Sequence, residues 1–283
     1  MTITASKEHS DHNYSISIFI RSAPLENEGR QLIRNTWMQD ISDHPQVQAN
    51  FVIGQPVSSD VMAKLQVEAG STSDILLLPD FIDDYHNLSL KTRSTMRHFV
   101  KHQVPNGLLQ QQYFMWTNMD TYIYIDRLID FVEERTLTDQ GSLRIYGHCS
   151  CYGDCSKAPG YFPSRDPKSK FYIPKSVYGA DRWPHFCDGF TVIFGPGTIP
   201  LLVIEADKLS EKYLMDLWVD DVLFTGVLAT KLSIPLAEAP FHGFYASNAC
   251  EARQTCASMH LRNAEIEMKR LRDAHLADRK QSP

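Results

Sequence analysis

The sequence lacks any apolar run long enough to cross a bilayer, and its first residues, MTITASKEHSDHN, lack the apolar segment of a signal peptide. This start predicts either a cytosolic chain or a truncated product, with no transmembrane segment in this sequence. Internal repeats, heptad runs and low-complexity tracts are also missing, which argues against solenoids and coiled coils. A basic excess is missing too, because the net charge is −6, so we expect no nucleic-acid partner.

The dinucleotide fingerprint GxGxxG does not follow the first apolar segment, YSISIFI at 14–20, which argues against a nicotinamide-dependent oxidoreductase. Cysteine is scarce, and its positions are informative. All six cysteines lie in the C-terminal half, and their even number suits disulfides in a secretory lumen. The cluster Cys149, Cys151 and Cys155 suggests either a zinc site or a loop with free or bridged thiols.

Apolar β-rich segments alternate with segments of helical spacing through the N-terminal half of the chain. The pattern predicts strands at 14–20, 49–54, 74–78 and 113–117, a turn at 79–81, and helices after the strands. Such alternation is typical of parallel βαβ crossovers, in which ligands bind outside the carboxyl ends of the strands. Shorter β-like pieces follow from 141, including KFYIP at 170–174, and helical spacing returns at 219–232 and 259–271.

Three acidic positions could carry chemistry. Asp120 lies just beyond the fourth predicted strand, where a carboxylate can hold a divalent cation or can simply cap the next helix. Asp220 and Asp221 open a predicted helix, where one of them could act as a general base or both could be capping residues.

Basic residues form a second group of candidates. Arg30 and Arg34 are four residues apart on one predicted helix, so they could bind phosphate together or could be solvated. Lys91 invites the same two interpretations. His242 could be a metal ligand or an ordinary histidine that is satisfied by its neighbours.

Several of these segments, in this order, resemble the β1,3-galactosyl/N-acetylglucosaminyltransferase family (glycosyltransferase family 31-like). The similar segments extend from about Ser15 to Phe244. They are RSAPLENEGRQLIRNTW at 21–37, DILLLPDFIDDYHNLSLKT at 74–92, FYIP at 171–174, WPHFCDGFTVIF at 183–194 and VDDVLFTGVLATKLSI at 219–234.

The resemblance implies one large α/β domain with a GT-A-like, Rossmann-type mixed sheet flanked by helices. It implies a UDP-sugar donor, a glycan or glycoprotein acceptor, Mn²⁺ or a similar divalent cation, and inverting transfer in the Golgi lumen or at its membrane. On that basis Asp221 would be the base and Asp220 would support it. Asp120 and His242 would hold the metal ion. The predicted site residues also form a donor side and an acceptor side. The donor side would be Arg30, Arg34, Lys91, Asn118 and Asp120; the acceptor side would be Tyr172, Trp183, Phe186, Asp188 and Gly189.

The sequence departs from the family at the metal motif, where Lys-Thr-Asp-Asp-Asp is replaced by Trp116-Thr117-Asn118-Met119-Asp120. Only the last aspartate is kept. An active hexosyltransferase that moves galactose or N-acetylglucosamine therefore has a rival, a non-catalytic relative that binds glycan or protein. We expect a disordered tail at 1–13, the catalytic domain at 14–250 and a helical tail at 251–283.

Overall fold

The computed structural model describes residues 14–102, 111–149, 162–242 and 256–281. The predicted tail at 1–13, and Cys151, Cys155 and Cys250, lie outside these ranges. The strands are β1 (Tyr14–Arg21), β2 (Val47–Gln55), β3 (Ile75–Ile82), β4 (Gln111–Asn118), β5 (Thr121–Ile123), β6 (Ile145–Gly147), β7 (Thr191–Phe194), β8 (Leu236–Glu238), β9 (Phe241–His242) and β10 (Ser258–His260).

The α-helices are α1 (Asn27–Arg34), α2 (Ser59–Ser71), α3 (Leu88–His102), α4 (Ile125–Asp139), α5 (Thr198–Ala206), α6 (Glu211–Asp216), α7 (Ala229–Lys231) and α8 (Ala264–Gln281). A π-helical turn, Val222–Leu228, leads directly into α7. Within the described ranges, none of these helices has both the length and the apolar content that a membrane crossing requires.

The main sheet has seven strands in the order β3-β2-β1-β4-β7-β6-β8. Strands β3, β2, β1 and β4 are parallel, whereas β7 runs antiparallel to β4 and to β6. The predicted mixed α/β sheet in one domain is thus confirmed. The strand order reverses between β1 and β4, and such a switch point opens a crevice at the carboxyl ends of the strands.

Alternation along the strands divides the core into two layers, because successive side chains of a strand point to opposite faces of the sheet. Ile18 of β1 packs on the face covered by α1, α4 and α8, whereas its neighbour Phe19 packs on the face covered by α3, α5 and α6. Both faces are therefore buried, as the apolar sequence of β1 predicts.

Two local predictions were wrong. The expected turn at 79–81 lies inside β3; Pro79 is tolerated there because β3 is an edge strand whose register shifts opposite Gly54 and Gln55. The expected strand at 170–174 is reduced to a single bridge between Ser164 and Tyr172.

The C-terminal segment is part of the core. Met259 was expected to lie on a helix but belongs to β10, which pairs with β5 and β9 in a second, three-stranded sheet. Helix α8 packs Met268 and Leu271 against the face that contains Ile18. The domain boundaries at 13 and 250 stay predictions.

Candidate active site

A cleft of about 1720 Å³ opens at the carboxyl ends of the parallel strands. Ligand pockets commonly enclose roughly 300–1,000 Å³, so this cleft has room for more than one ligand. Most of the site residues that the sequence predicts lie on its wall. These are Lys91, Asn118, Asp120, Trp183, Phe186, Asp188, Gly189, Asp220 and Asp221.

Arg21, the last residue of β1, connects three segments at the base of the cleft. Its Nε donates to Asn118 Oδ1 at 3.0 Å, its Nη1 pairs with Asp220, and its Nη2 donates to the carbonyl of Gly189. The parallel register aligns Arg21 with Asn118, which places both side chains at the switch point between β1 and β4. Sequence analysis missed this arginine; the available signal was a charged residue that ends an apolar strand.

Asp220 is a buried carboxylate with its charge compensated. Besides Arg21, it accepts a hydrogen bond of 2.6 Å from the hydroxyl of Thr92 on α3. Its exposed fraction is 4%. These two contacts tie the Asp220 carboxylate to the end of β1 and to α3.

Asp221 differs from its neighbour because its carboxylate lacks a comparable ion pair. Oδ1 accepts from the Val222 N–H at 2.8 Å, and Oδ2 accepts from the Gly189 N–H at 3.2 Å. Burial, followed by the negative charge of Asp220, raises the pKa of Asp221 to about 7. A carboxyl group with this pKa on a cleft wall can accept a proton near neutral pH.

The peptide of Gly189 connects the two charged groups, because its carbonyl faces Arg21 and its N–H faces Asp221. A side chain at position 189 would place its Cβ 3.1 Å from Asp221 Oδ2, so the approach depends on glycine. The preceding segment is fixed to β6: Asp188 Oδ2 lies 2.8 Å from His148 Nδ1, and a disulfide joins Cys149 to Cys187.

The disulfide decides one open question about the cysteine cluster. Cys149 is bonded to Cys187, so it is not a ligand in a zinc site with Cys151 and Cys155. The imidazole of His148 is hydrogen-bonded to Asp188, and this hydrogen bond raises the pKa of His148.

Asp120 faces His260, with 3.1 Å between Asp120 Oδ2 and His260 Nε2, and both residues line the cleft. The backbone carbonyl of Asp120 also accepts from the Leu261 N–H at 2.8 Å, which holds β10 beside it. The other carboxylate oxygen, Oδ1, is buried and has no hydrogen-bond partner among the residues that the structure describes. Within the described part of the chain, no three His, Cys, Asp or Glu side chains converge as a metal-binding group.

The predicted metal ligand His242 does not line this cleft. It pairs with Met259 across β9 and β10, and side chains of paired residues point to the same face of a sheet. His260, the next residue after Met259, therefore points to the opposite face, towards Asp120. Burial, and then the nearby His148, lowers the pKa of His242. His260 was missed because it lies in a strand that the sequence pattern presents as helical.

Arg30 and Arg34 do not line the cleft either. Arg30 donates to Glu68 at 2.6 and 2.9 Å, and Arg34 binds Glu68 at 2.8 Å and Asp74 at 2.7 and 2.8 Å. With exposed fractions of 1% for Arg30 and 8% for Glu68, their ion pair between α1 and α2 is buried, and Asp74 follows α2. Both arginines thus join α1 to α2 and the segment after it, and their predicted donor contact stays a prediction.

Lys91 lines the cleft, but its ammonium group already contacts other residues of the protein. Its Nζ donates to the carbonyl of Ser22 at 2.7 Å and lies 2.8 and 3.0 Å from the two oxygens of Asp83. Burial lowers the pKa of Lys91, and the Asp83 charge opposes that shift.

The predicted acceptor-side residues divide. Trp183, Phe186, Asp188 and Gly189 are on the cleft wall, whereas Tyr172 is not, and its neighbour Phe171 is on the wall in its place.

Comparison with known proteins gives the family of the chain. The family model of the Galactosyltransferase family matches residues 28–240, and the chain therefore belongs to that family. Human Beta-1,3-galactosyltransferase 5 is 28% identical over 225 residues, which cover 78% of this chain and 64% of the relative. Beta-1,3-galactosyltransferase 1 of Mus musculus is 28% identical over 240 residues, 84% of this chain and 67% of the relative.

The chain thus spans about two thirds of the length of these relatives. Among solved structures, a glycosyltransferase involved in the glycosylation of the major capsid of PBCV-1 superposes with a TM-score of 0.44 at 8% identity. That superposition covers 90% of this chain and 99% of the other.

The raised pKa of Asp221 predicts a pH-dependent stability difference. Between the unfolded value of about 3.9 and about 7, the folded protein retains a proton that the unfolded chain releases, so its free energy of unfolding falls as pH rises. In Asp221→Asn the side chain carries no ionisable proton, so this fall in the free energy of unfolding is absent. We expect the variant to gain roughly 1–3 kcal/mol over wild type between pH 4.5 and pH 8, as measured by urea denaturation.

Asp60→Asn, at an exposed position of α2, is the matched control and should follow the wild-type curve. A difference between Asp221→Asn and wild type that stays constant across this pH range would contradict the raised pKa.

Proposed function

We propose that the chain is an inverting hexosyltransferase that moves galactose or N-acetylglucosamine from a UDP-sugar to a glycan hydroxyl in β1,3 linkage. The observation that carries this proposal is the different state of the two adjacent carboxyl groups. Asp220 forms an ion pair with Arg21, whereas Asp221 faces the cleft with a pKa raised to about 7. Membership of the Galactosyltransferase family supports a sugar as the group transferred.

In the proposed reaction, a carboxylate oxygen of Asp221 takes the proton of the acceptor hydroxyl. The hydroxyl oxygen forms a bond to the anomeric carbon while the bond from that carbon to the UDP oxygen breaks, and UDP departs with the electron pair. Attack opposite to the leaving group inverts the anomeric configuration. The N–H groups of Val222 and Gly189 hold the carboxylate in place during the proton transfer.

Asp120 and His260 are the residues that would hold a divalent cation. One carboxylate oxygen is buried without a partner, and an imidazole nitrogen lies beside the other, a donor set that suits Mn²⁺ or a similar ion. Bound there, the cation would offset the negative charge that develops on the departing diphosphate. Asn118, which replaces an acidic residue of the family motif, is engaged by Arg21 and adds no charge.

The setting we propose is the Golgi lumen or membrane, with a glycan or glycoprotein as acceptor. The Cys149–Cys187 disulfide supports a compartment in which disulfides persist.

Turnover tests the proposed base. Purified protein is incubated with Mn²⁺, with UDP-galactose or UDP-N-acetylglucosamine, and with methyl β-galactoside or methyl β-N-acetylglucosaminide. Product is identified by NMR. We expect a β1,3-linked disaccharide, and in Asp221→Asn a kcat about 100-fold to 10,000-fold lower, because general base catalysis is lost.

Asp216→Asn, which disrupts only a surface ion pair with Lys212, should keep wild-type turnover. Binding of UDP and glycan without transfer of either sugar would refute the transferase and favour the non-catalytic relative.

UDP binding tests the proposed metal ligands without a need for turnover. By calorimetry, we expect Mn²⁺ to strengthen UDP binding and EDTA to abolish that gain. Asp120→Asn and His260→Gln should each reduce the metal-dependent affinity about 10-fold to 100-fold, the range typical of losing a residue at a metal site.

His242→Gln is the matched control, because His242 points to the other face of its sheet. Loss of metal-dependent binding in His242→Gln, with His260→Gln unaffected, would restore the assignment made from the sequence.

A further inference from the structure

Three aromatic side chains form one wall of the cleft, which we call the aromatic shelf: Tyr85, Phe171 and Trp218. Phe171 stacks on Trp218 with 5.9 Å between ring centroids and 20° between planes, and Tyr85 lies 5.0 Å from Trp218. Trp218 is only 5% exposed, whereas Tyr85 is 47% and Phe171 51% exposed. The exposed rings of Tyr85 and Phe171 thus pack on the buried indole of Trp218 and line the cleft.

Hydrogen bonds hold the segments that carry these rings. Arg165 donates to the carbonyl of Ile173 and to that of Tyr178, both at 2.7 Å, which fixes the segment that contains Phe171. Ser89 on α3 donates to the carbonyl of Leu217 at 2.7 Å, directly before Trp218. A wall fixed in this way binds a ligand without a large loss of conformational entropy.

The shelf also has the polar edge that a hydroxylated ligand requires. Asp84 and Ser169 line the same part of the cleft. The ammonium group of the exposed Lys170 side chain lies over both exposed rings, 4.7 Å from the Tyr85 centroid and 5.1 Å from that of Phe171, so a ligand that stacks there displaces it. An apolar face with a carboxylate and a hydroxyl beside it matches a sugar ring, which has C–H groups on its faces and hydroxyls around its edge.

The position of the shelf indicates which sugar it meets. Asp221 follows Trp218 by three residues, so at most about 11 Å of chain separates them. Asp120 follows β4, whereas Tyr85 follows β3, three strand positions away in the sheet, or about 14 Å. The Trp218 end of the shelf is therefore close to the proposed base, whereas its Tyr85 end follows a strand well separated from the one that precedes Asp120, a proposed cation ligand.

We propose that the aromatic shelf binds a pyranose ring of the acceptor glycan, one sugar away from the ring whose hydroxyl meets Asp221. The inference rests on the proposed transferase function. The electron-rich faces of aromatic rings attract the C–H groups of a sugar, and burial of both apolar surfaces adds to that attraction. The acceptor class is accordingly a β-linked disaccharide or a longer glycan.

Binding without donor tests this inference. Calorimetry on wild type, Tyr85→Leu and Phe171→Leu uses methyl β-lactoside and methyl β-chitobioside, with methyl β-galactoside and methyl β-N-acetylglucosaminide as single sugars. We expect one disaccharide to bind wild type more tightly than its single sugar. Each substitution should weaken disaccharide binding about 3-fold to 10-fold, because one aromatic contact is lost, and should change single-sugar binding less than about 2-fold.

Leu137→Ala, at an exposed position of α4 that does not line the cleft, controls for the loss of a surface apolar side chain. Weaker UDP binding with unchanged disaccharide binding would overturn the inference by assigning the shelf to the nucleobase. Equal binding of disaccharide and single sugar by wild type, or no binding of either disaccharide, would also overturn it. Shelf-dependent disaccharide binding without any transfer would leave the shelf standing and refute only the transferase.

Discussion

The ion pair between Arg21 and Asp220 is the interaction on which the rest of the site depends. It lies at the point where the strand order reverses, and it gives the buried Asp220 a cationic partner directly beside Asp221 on the cleft wall. Burial, and then the negative charge of Asp220, raises the pKa of Asp221, whereas Asp220 itself is paired with Arg21. The same guanidinium group binds the carbonyl of Gly189, whose N–H contacts Asp221. Arg21 therefore both pairs with Asp220 and helps to position the proposed base.

Different elements supply the other parts of the cleft around this centre. The pair of Asp120 and His260 is built by the end of β4 and by β10, which arrives from the C-terminal part of the chain. The aromatic shelf is built from segments after β3 and before the π-helical turn. Asp221, the pair of Asp120 and His260, and the aromatic shelf thus line one cleft, although they come from different parts of the fold.

Most of the sheet could be predicted from the sequence, because strands buried on both faces give continuous apolar runs. Asp120, Asn118 and Asp221 could be proposed because they follow such runs or open a helix. Arg21 and His260 could not, since their roles depend on partners about 100 or more residues away. For Arg30 and Arg34, the sequence did not indicate that Glu68 and Asp74, in and after the next helix, are their partners. Tyr172 was predicted to lie on the acceptor side, but it is its neighbour Phe171 that lines the cleft. An irregular segment has no side-chain alternation that would indicate which of its residues faces the cleft.

The most direct test of this account is the pH dependence of kcat for the wild-type protein, measured from pH 5 to pH 9 with saturating donor and acceptor. If Asp221 must be ionised to act as the base, kcat rises with pH and levels off above a midpoint near 7. A kcat that is constant between pH 5 and pH 8, or that falls as pH rises through 7, would contradict the assignment of Asp221 as the base.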